Sequence, residues 1–383
     1  MRVLRGSIAL LASFLAAVSG AWAEEAAVPP EMRLEALPAR AVEPTANPST
    51  PAKLKLGRLL FFDPILSATQ DVACATCHHP RFGWADARPT PLGVGGAGLG
   101  PARLWKGAAG VKPLLRNVPS LLNVGFNGLV SGRPLDPQAA PMFWDARVQS
   151  LETQALHPMQ SRDEMRGELC AEAEAVRAAV TRVGQIAEYR ALFREAFGAS
   201  VTAQRLTQAI AVFERSLLAG DSPFDRFMRG ARSALPAPAQ RGMRVFQTAG
   251  CIQCHGGPMF SDFKLHSIGA PDSSSDGRRE FRTPTLRNLR PTAPYLHYGG
   301  LATLEAVLSF YERLSDEVSE TLDGGDTTAH PALDPLLKQL DLNAEQFPDL
   351  EAFLDALNDN GYDRSVPPQV PSGLPVGGNI GPS

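Results

Sequence analysis

Where apolar positions recur along this chain, they do so at the spacing of helices. Residues 54–62 read as a short amphipathic helix that Asp63-Pro64 stops. Residues 171–183 and 202–218 are helical. In the second of these, Leu206, Ile210, Phe213 and Leu217 share one face, and Thr202 stands where an N-cap is needed. Residues 239–246 form another helix, with Pro238 suited to its first turn. Residues 304–313 bring Leu304, Val307, Leu308 and Tyr311 onto one side. The pattern predicts a mainly α protein.

Between these helices the periodicity lapses. Residues 24–52 are rich in Pro, Ala and Glu and read as an extended lead-in. Residues 87–112 form a long loop with Gly93, Gly95, Gly96, Gly98 and Gly100. Loops of that length are usually functional or disordered. No phosphate-binding pattern occurs in it, so it is expected to pack around a cofactor edge. Residues 221–238, with prolines at 223, 236 and 238, read as a linker, and residues 365–383 as a disordered Pro/Gly-rich tail. The expected organisation is a leader at 1–23, the lead-in at 24–52, an N-terminal domain at 53–220, the linker, a C-terminal domain at 239–364 and the tail.

The leader is a secretory signal: Arg2 and Arg5, an apolar run over 8–18, and Ala21-Trp22-Ala23 as the cleavage site. That run is too short to cross a bilayer, and no later segment is longer, so a periplasmic protein without a membrane span is expected. A formal net charge of -3 and no basic cluster argue against nucleic acid. The length of 383 residues exceeds one ordinary domain and suits two cores.

Candidate chemistry sits in two pentapeptides, Cys74-Ala75-Thr76-Cys77-His78 and Cys251-Ile252-Gln253-Cys254-His255. In a C-x-x-C-H unit both thiols add across porphyrin vinyl groups, and the histidine ligates iron from below. Neither copy has the nearby second cysteine pair of a zinc ribbon. The pair predicts two covalent c-type haems, with His78 and His255 on iron. Cys170 is left over, so no disulfide framework is possible, and a buried free thiol is its default reading. His79 reads as a surface residue beside the ligand.

Further strings surround the motifs: Phe61-Phe62-Asp63-Pro64, Arg116-Asn117 and onward, Phe143-Trp144-Asp145-Ala146-Arg147, Arg282-Thr283-Pro284-Thr285-Leu286-Arg287-Asn288 and Thr292-Ala293-Pro294-Tyr295-Leu296-His297. Gln154, Pro158 and Glu164 could line a polar pocket, and Trp144 alone would be a core aromatic. From about residue 54 to 311 these strings resemble the bacterial dihaem cytochrome c peroxidase and MauG superfamily. The resemblance implies two cytochrome c-like domains, each around one haem. The N-terminal haem would react with peroxide and the C-terminal one would transfer electrons, with calcium between the domains. By position, Glu164 and Gln154 would line the distal side of the first haem beside Pro158, and Trp144 would relay electrons. Asn117 would give calcium its side-chain oxygen, and Thr292 and Pro294 their carbonyls. Arg282 and His297 would support the haem surroundings.

Two departures from the peroxidase branch stand out. No histidine lies between His79 and His157, so the first haem is expected to keep an open distal face. No methionine follows Met259 to serve as second ligand of the C-terminal haem, and Tyr311 stands where it would fall. Tyr311 has two readings, a core residue with a bonded hydroxyl or a tyrosinate on iron as in MauG, and the missing methionine favours the second. His266 is the next candidate.

The expected function is peroxide-dependent formation of a high-valent, bis-Fe(IV)-like state. That state would oxidise an aromatic residue of a periplasmic partner protein. The alternatives are a peroxidase fed by a small cytochrome or cupredoxin, and a dihaem electron carrier.

Overall fold

The computed structural model describes residues 32–271, 279–322 and 333–381. The expected signal peptide, 1–23, lies outside them. The described chain is mainly helical: α1 (Pro51–Phe62), α2 (Cys74–Cys77), α3 (Leu151–Gln154), α4 (His157–Gln160), α5 (Glu172–Gln185), α6 (Ala187–Phe197), α7 (Ala203–Arg215), α8 (Pro223–Met228), α9 (Ala237–Thr248), α10 (Leu304–Leu322) and α11 (Phe347–Asp355). Its strands are three antiparallel pairs of two residues each.

Apolar burial concentrates in two large clusters. One gathers residues from α1, α5, α6 and α7, with Trp84 and the late residues Tyr362 and Val370. The other gathers Phe224, Phe246, Phe260, Leu308, Leu350 and Phe353. Each is built around a pair of crossing helices, α1 with α7 and α9 with α11, and each crossing closes at a glycine. A Cβ on Gly57 would stand 1.9 Å from the Ala209 carbonyl oxygen, and one on Gly242 would stand 1.8 Å from that of Asp349. Four positions after each glycine comes a phenylalanine that meets a ring from the partner helix. Phe61 lies 5.2 Å from Phe213 and Phe246 lies 5.3 Å from Phe353, centroid to centroid. Helices α1 and α9 are also the ones that lead into the two C-x-x-C-H motifs.

Local chemistry explains where these helices begin and stop. Thr50 and Thr202 accept hydrogen bonds from the amides of Lys53 and Arg205, capping α1 and α7. Asp63, fully buried, ends α1. Its carboxylate accepts from the Ile65 amide, from the Tyr189 hydroxyl at 2.7 Å and from the Ser372 hydroxyl at 2.6 Å.

Several expectations need correction. The segment read as a linker contains α8, whose Ser222 and Asp225 form a capping box and whose Phe224 is buried. Pro223 is at its first turn, where a missing N–H costs nothing. Asp225 also accepts a two-pronged bond from Arg287, at 2.8 and 3.1 Å, in a fully buried ion pair. Helices α6 and α11 had no counterpart in the sequence reading, and α10 runs on past residue 313 to Leu322.

The tail is not disordered. Ser372 is tied to Asp63, the Gly377 amide donates to the Phe62 carbonyl at 2.8 Å, and the Thr76 hydroxyl donates to the Gly377 carbonyl at 2.7 Å. Its glycines are what a strap at close range requires. Gly378 has φ +82, and a Cβ there would stand 2.3 Å from the Asp71 carbonyl oxygen. His79 is buried, not superficial, because its Nδ1 accepts from the Arg81 amide and caps the turn that follows.

Gly57→Ala and Gly242→Ala should each force their helix pair apart and destabilise the protein by about 1–3 kcal/mol. Thermal denaturation of the two variants checks this. Melting temperatures equal to the wild type would show that neither crossing is closed.

Candidate active site

A cavity of about 570 Å³ is lined by both motifs, by Cys74, Cys77 and His78 on one side and by Cys251, Cys254 and His255 on the other. None of these four cysteines is in a disulfide. His78 directs Nδ1 to the Trp84 carbonyl at 3.1 Å, and His255 directs Nδ1 to that of Phe260 at 2.9 Å. Each carbonyl can only accept, so Nδ1 carries the proton and Nε2 is left with its lone pair, as an iron ligand needs. Burial lowers both imidazoles, His78 to about 4, and keeps them neutral. The donor set fits a c-type haem at each motif.

The cavity wall also contains Gln154, Pro158 and Glu164. Glu164 projects from the turn Arg162–Arg166. Desolvation raises its carboxyl above the ordinary value, against the opposing charge of Arg147 and a Ser161 hydrogen bond. Its backbone is clamped by the glycine loop. The Val94 amide donates to the Glu164 carbonyl at 3.1 Å, and a Cβ on Gly93 would lie 2.2 Å from the Asp163 carbonyl oxygen. That loop is gathered by buried Arg103, which donates to the carbonyls of Leu92, Gly93 and Gly98 and to Asn379 Oδ1 of the tail. The histidines that line the cavity are His78, His255, His266 and His297, and none stands on the Glu164 wall. His157 instead packs edge-on to Phe143.

Trp144 lines the same cavity. Its indole donates to the Asn117 carbonyl at 2.8 Å, and its own carbonyl accepts from the Arg282 amide at 2.6 Å. His297 meets it edge-on at 6.4 Å and stacks on Phe281 at 3.7 Å, so aromatic groups are continuous across the middle of the cavity. Arg282 is buried, lowered to about 10 by desolvation, and has no carboxylate beside it among the described residues. A cavity-lining guanidinium of that kind suits a haem propionate. Asn117, Thr292 and Pro294 also line the cavity, and Asn117 is buried with Nδ2 donating to the Arg88 carbonyl.

On the C-terminal side Tyr311 lines the cavity near Cys251 and Cys254. Its hydroxyl has no hydrogen-bond partner among the described residues, unlike that of Tyr189, which is bonded to Asp63, and that of Tyr295, which is bonded to the Leu289 carbonyl. His266 is held differently: Nδ1 meets Asp334 at 2.6 Å and Nε2 meets Asp262 at 2.9 Å. With a carboxylate on each nitrogen it is driven to the charged form and has no lone pair for a metal.

Sequence reasoning missed Glu214. It lies one turn after Ile210 on α7, buried and lining the same cavity. An acidic residue on the stripe of Leu206, Ile210 and Leu217 was the available signal.

The family model for di-haem cytochrome c peroxidase matches residues 51–233. The methylamine utilization protein MauG of Methylorubrum extorquens is 36% identical over 329 residues, covering 82% of this chain and 80% of that protein. The cytochrome c551 peroxidase of Nitrosomonas europaea is 31% identical over 297 residues, covering 72% and 79%. Among solved structures, a MauG-like protein associated with microbial copper homeostasis superposes with a TM-score of 0.65 at 26% identity, covering 85% of this chain and 95% of that one. The chain therefore belongs to the di-haem cytochrome c peroxidase family, whose members carry two covalent c-type haems.

Proposed function

We propose that this protein is a periplasmic dihaem enzyme that uses hydrogen peroxide to oxidise an aromatic residue, of the tryptophan kind, on a partner protein. The observation that carries the reading is Tyr311. Its hydroxyl points without a partner into the cavity beside Cys251 and Cys254, the lining there includes no methionine, and His266 is locked between two carboxylates. A buried tyrosine of purely structural role would have bonded its hydroxyl. Two cytochrome c-like domains, one per motif, follow from the paired cores and glycine crossings.

The two haems supply the redox chemistry, peroxide activation at the N-terminal motif and electron storage at the C-terminal one. The chain's own residues set the terms. His78 and His255 bind iron through Nε2. Glu164, with Gln154 and Pro158 shaping the wall, moves a proton from one peroxide oxygen to the other as the O–O bond breaks. Trp144, between Asn117 and Arg282, carries electrons between the sites, with His297 against it. Arg282 balances a propionate. Asn117, Thr292 and Pro294 offer only neutral oxygens, which suits a calcium ion that keeps water in its shell.

An anionic Tyr311 phenolate lowers the potential of the C-terminal site, so small cytochromes and cupredoxins reduce it poorly. A donor residue on a protein surface, reached by electron transfer through the cavity wall, is the matching substrate.

Tyr311→Phe should keep both haems but change the low-spin visible and EPR spectrum, and an unchanged spectrum would show that another group is the ligand. Steady-state turnover with peroxide and reduced cytochrome c should be slow. Rapid, sustained turnover without prior reduction would make the protein an ordinary peroxidase. Gly93→Ala should push the Glu164 backbone away and slow the reaction with peroxide roughly tenfold to a hundredfold while cyanide still binds. Stopped-flow absorbance measures both.

A further inference from the structure

We propose that Glu214 is a second proton-holding residue of the peroxide pocket, a role that rests on the peroxide chemistry proposed above. Glu214 lines the cavity together with Ile210, Gln154, Glu164 and Cys74. It is 4% exposed, and its Oε2 has no hydrogen-bond partner. The neighbouring cations make their bonds elsewhere, while Nε and Nη1 of adjacent Arg215 have, like Glu214 Oε2, no hydrogen-bond partner among the described residues. Adjacent Arg215 pairs with Glu152 of α3 at 2.8 Å. From α1, Lys53 donates to Asn47 and to the Pro48 carbonyl, and Arg58 pairs with Asp363. No cation is spent on the Glu214 carboxyl, and burial pushes it up to about 8, with Arg215 opposing the shift and Glu152 adding to it. It therefore holds its proton at neutral pH. A buried acid with an idle oxygen is costly to keep for structure alone.

The chemistry needs such a group. Glu164 hands a proton from one peroxide oxygen to the other and ends as it began. The O–O bond breaks, and one oxygen leaves as water with both of the protons that peroxide brought. The second oxygen leaves as water only after taking two electrons from the donor protein and two protons from outside the substrate. Glu214 supplies the first of these protons and solvent the second, after which solvent recharges Glu214. Asp145, the other carboxylate on the cavity wall, is taken up by an ion pair with Arg147 at 2.8 Å.

The test uses the holoenzyme. Glu214→Gln, which keeps the shape, should retain both haems and bind cyanide normally. It should slow the proton-dependent return to the resting state about 10²-fold and remove one ionisation from its pH profile, and Glu214→Asp should restore part of the rate. An unchanged rate and pH profile in Glu214→Gln overturns the proposal. A readout independent of that variant's folding is infrared difference spectroscopy on cyanide binding. The C=O stretch of a protonated carboxylic acid should appear in the wild type and persist in Glu164→Gln. Its disappearance in Glu164→Gln, or its absence throughout, also overturns the proposal. A wild type that ignores peroxide but shows the band removes the functional reading instead.

Discussion

Two helix crossings, each closed at a glycine, govern what the rest of this chain can do. At Gly57 and at Gly242 the partner backbone comes so near that no side chain fits. The crossing therefore fixes both helix axes to within a fraction of an ångström. Because α1 and α9 each lead into a C-x-x-C-H motif, that precision passes to the thiols and the histidine. The rings that follow at Phe61 and Phe246 lock the second turn of the same contact. Covalent attachment tolerates little slack, since two sulfurs and one imidazole must all reach a single rigid macrocycle.

The acid at the peroxide wall depends on a longer sequence of supports. Glu164 lies on an irregular turn, a weak platform by itself. The turn is held by the Gly93–Val94 backbone, that backbone by the Arg103 guanidinium, and Arg103 in part by Asn379 of the tail. The tail is held in turn by Asp63, Phe62 and Thr76, which belong to α1, its end and the first motif. The residues that face peroxide are thus tied back to the same helix that delivers Cys74 and His78, by way of the far end of the chain. Gly/Pro-rich segments do this work because each link is a backbone amide or carbonyl, and close backbone approach excludes larger side chains.

How much of this could be read beforehand follows from the range of the interactions. The cap at Thr202, the helix stop at Asp63-Pro64 and the motif pair were legible because their signals are local, whereas the start of α1 at Thr50 was not read. Helix α11 was also legible in principle, since Leu350, Phe353, Leu354 and Leu357 carry helical spacing, and its partner α9 had already been identified. The tail was not. Its composition is that of a disordered segment, and only contacts some three hundred residues distant make it ordered. Helix α8 was obscured by Pro223, which reads as a breaker until its position at the first turn is known. His79 was misjudged because a cap to the next turn buries it. Of the residues assigned around the haems, the cavity wall brings together Gln154, Pro158 and Glu164 near one motif and Tyr311 near the other, from elements that are short or irregular. No periodicity joins them, and only the likeness of whole strings to a family did.

The two halves of the molecule face different electrostatic problems, and their side chains differ accordingly. Around the first motif the wall holds acids that burial keeps from ionising easily, Glu164 and Glu214, which on the proposed reading would supply protons to oxygen chemistry. Near the second, no buried acid comparable to these lines the cavity among the described residues. The carboxylates nearby, Asp262 and Asp334, are both spent on His266. A phenol in such a place, raised well above its ordinary value by burial, gives up its proton only to a strong Lewis acid. Ferric iron is one, and each further oxidation strengthens it, so a Tyr311 phenolate stabilises the oxidised site more than the reduced one. A methionine thioether would do the reverse. On the proposed reading, a phenol at this position would suit an enzyme that stores oxidising power for a slow, demanding donor, and a thioether one that is refilled by any passing reduced cytochrome.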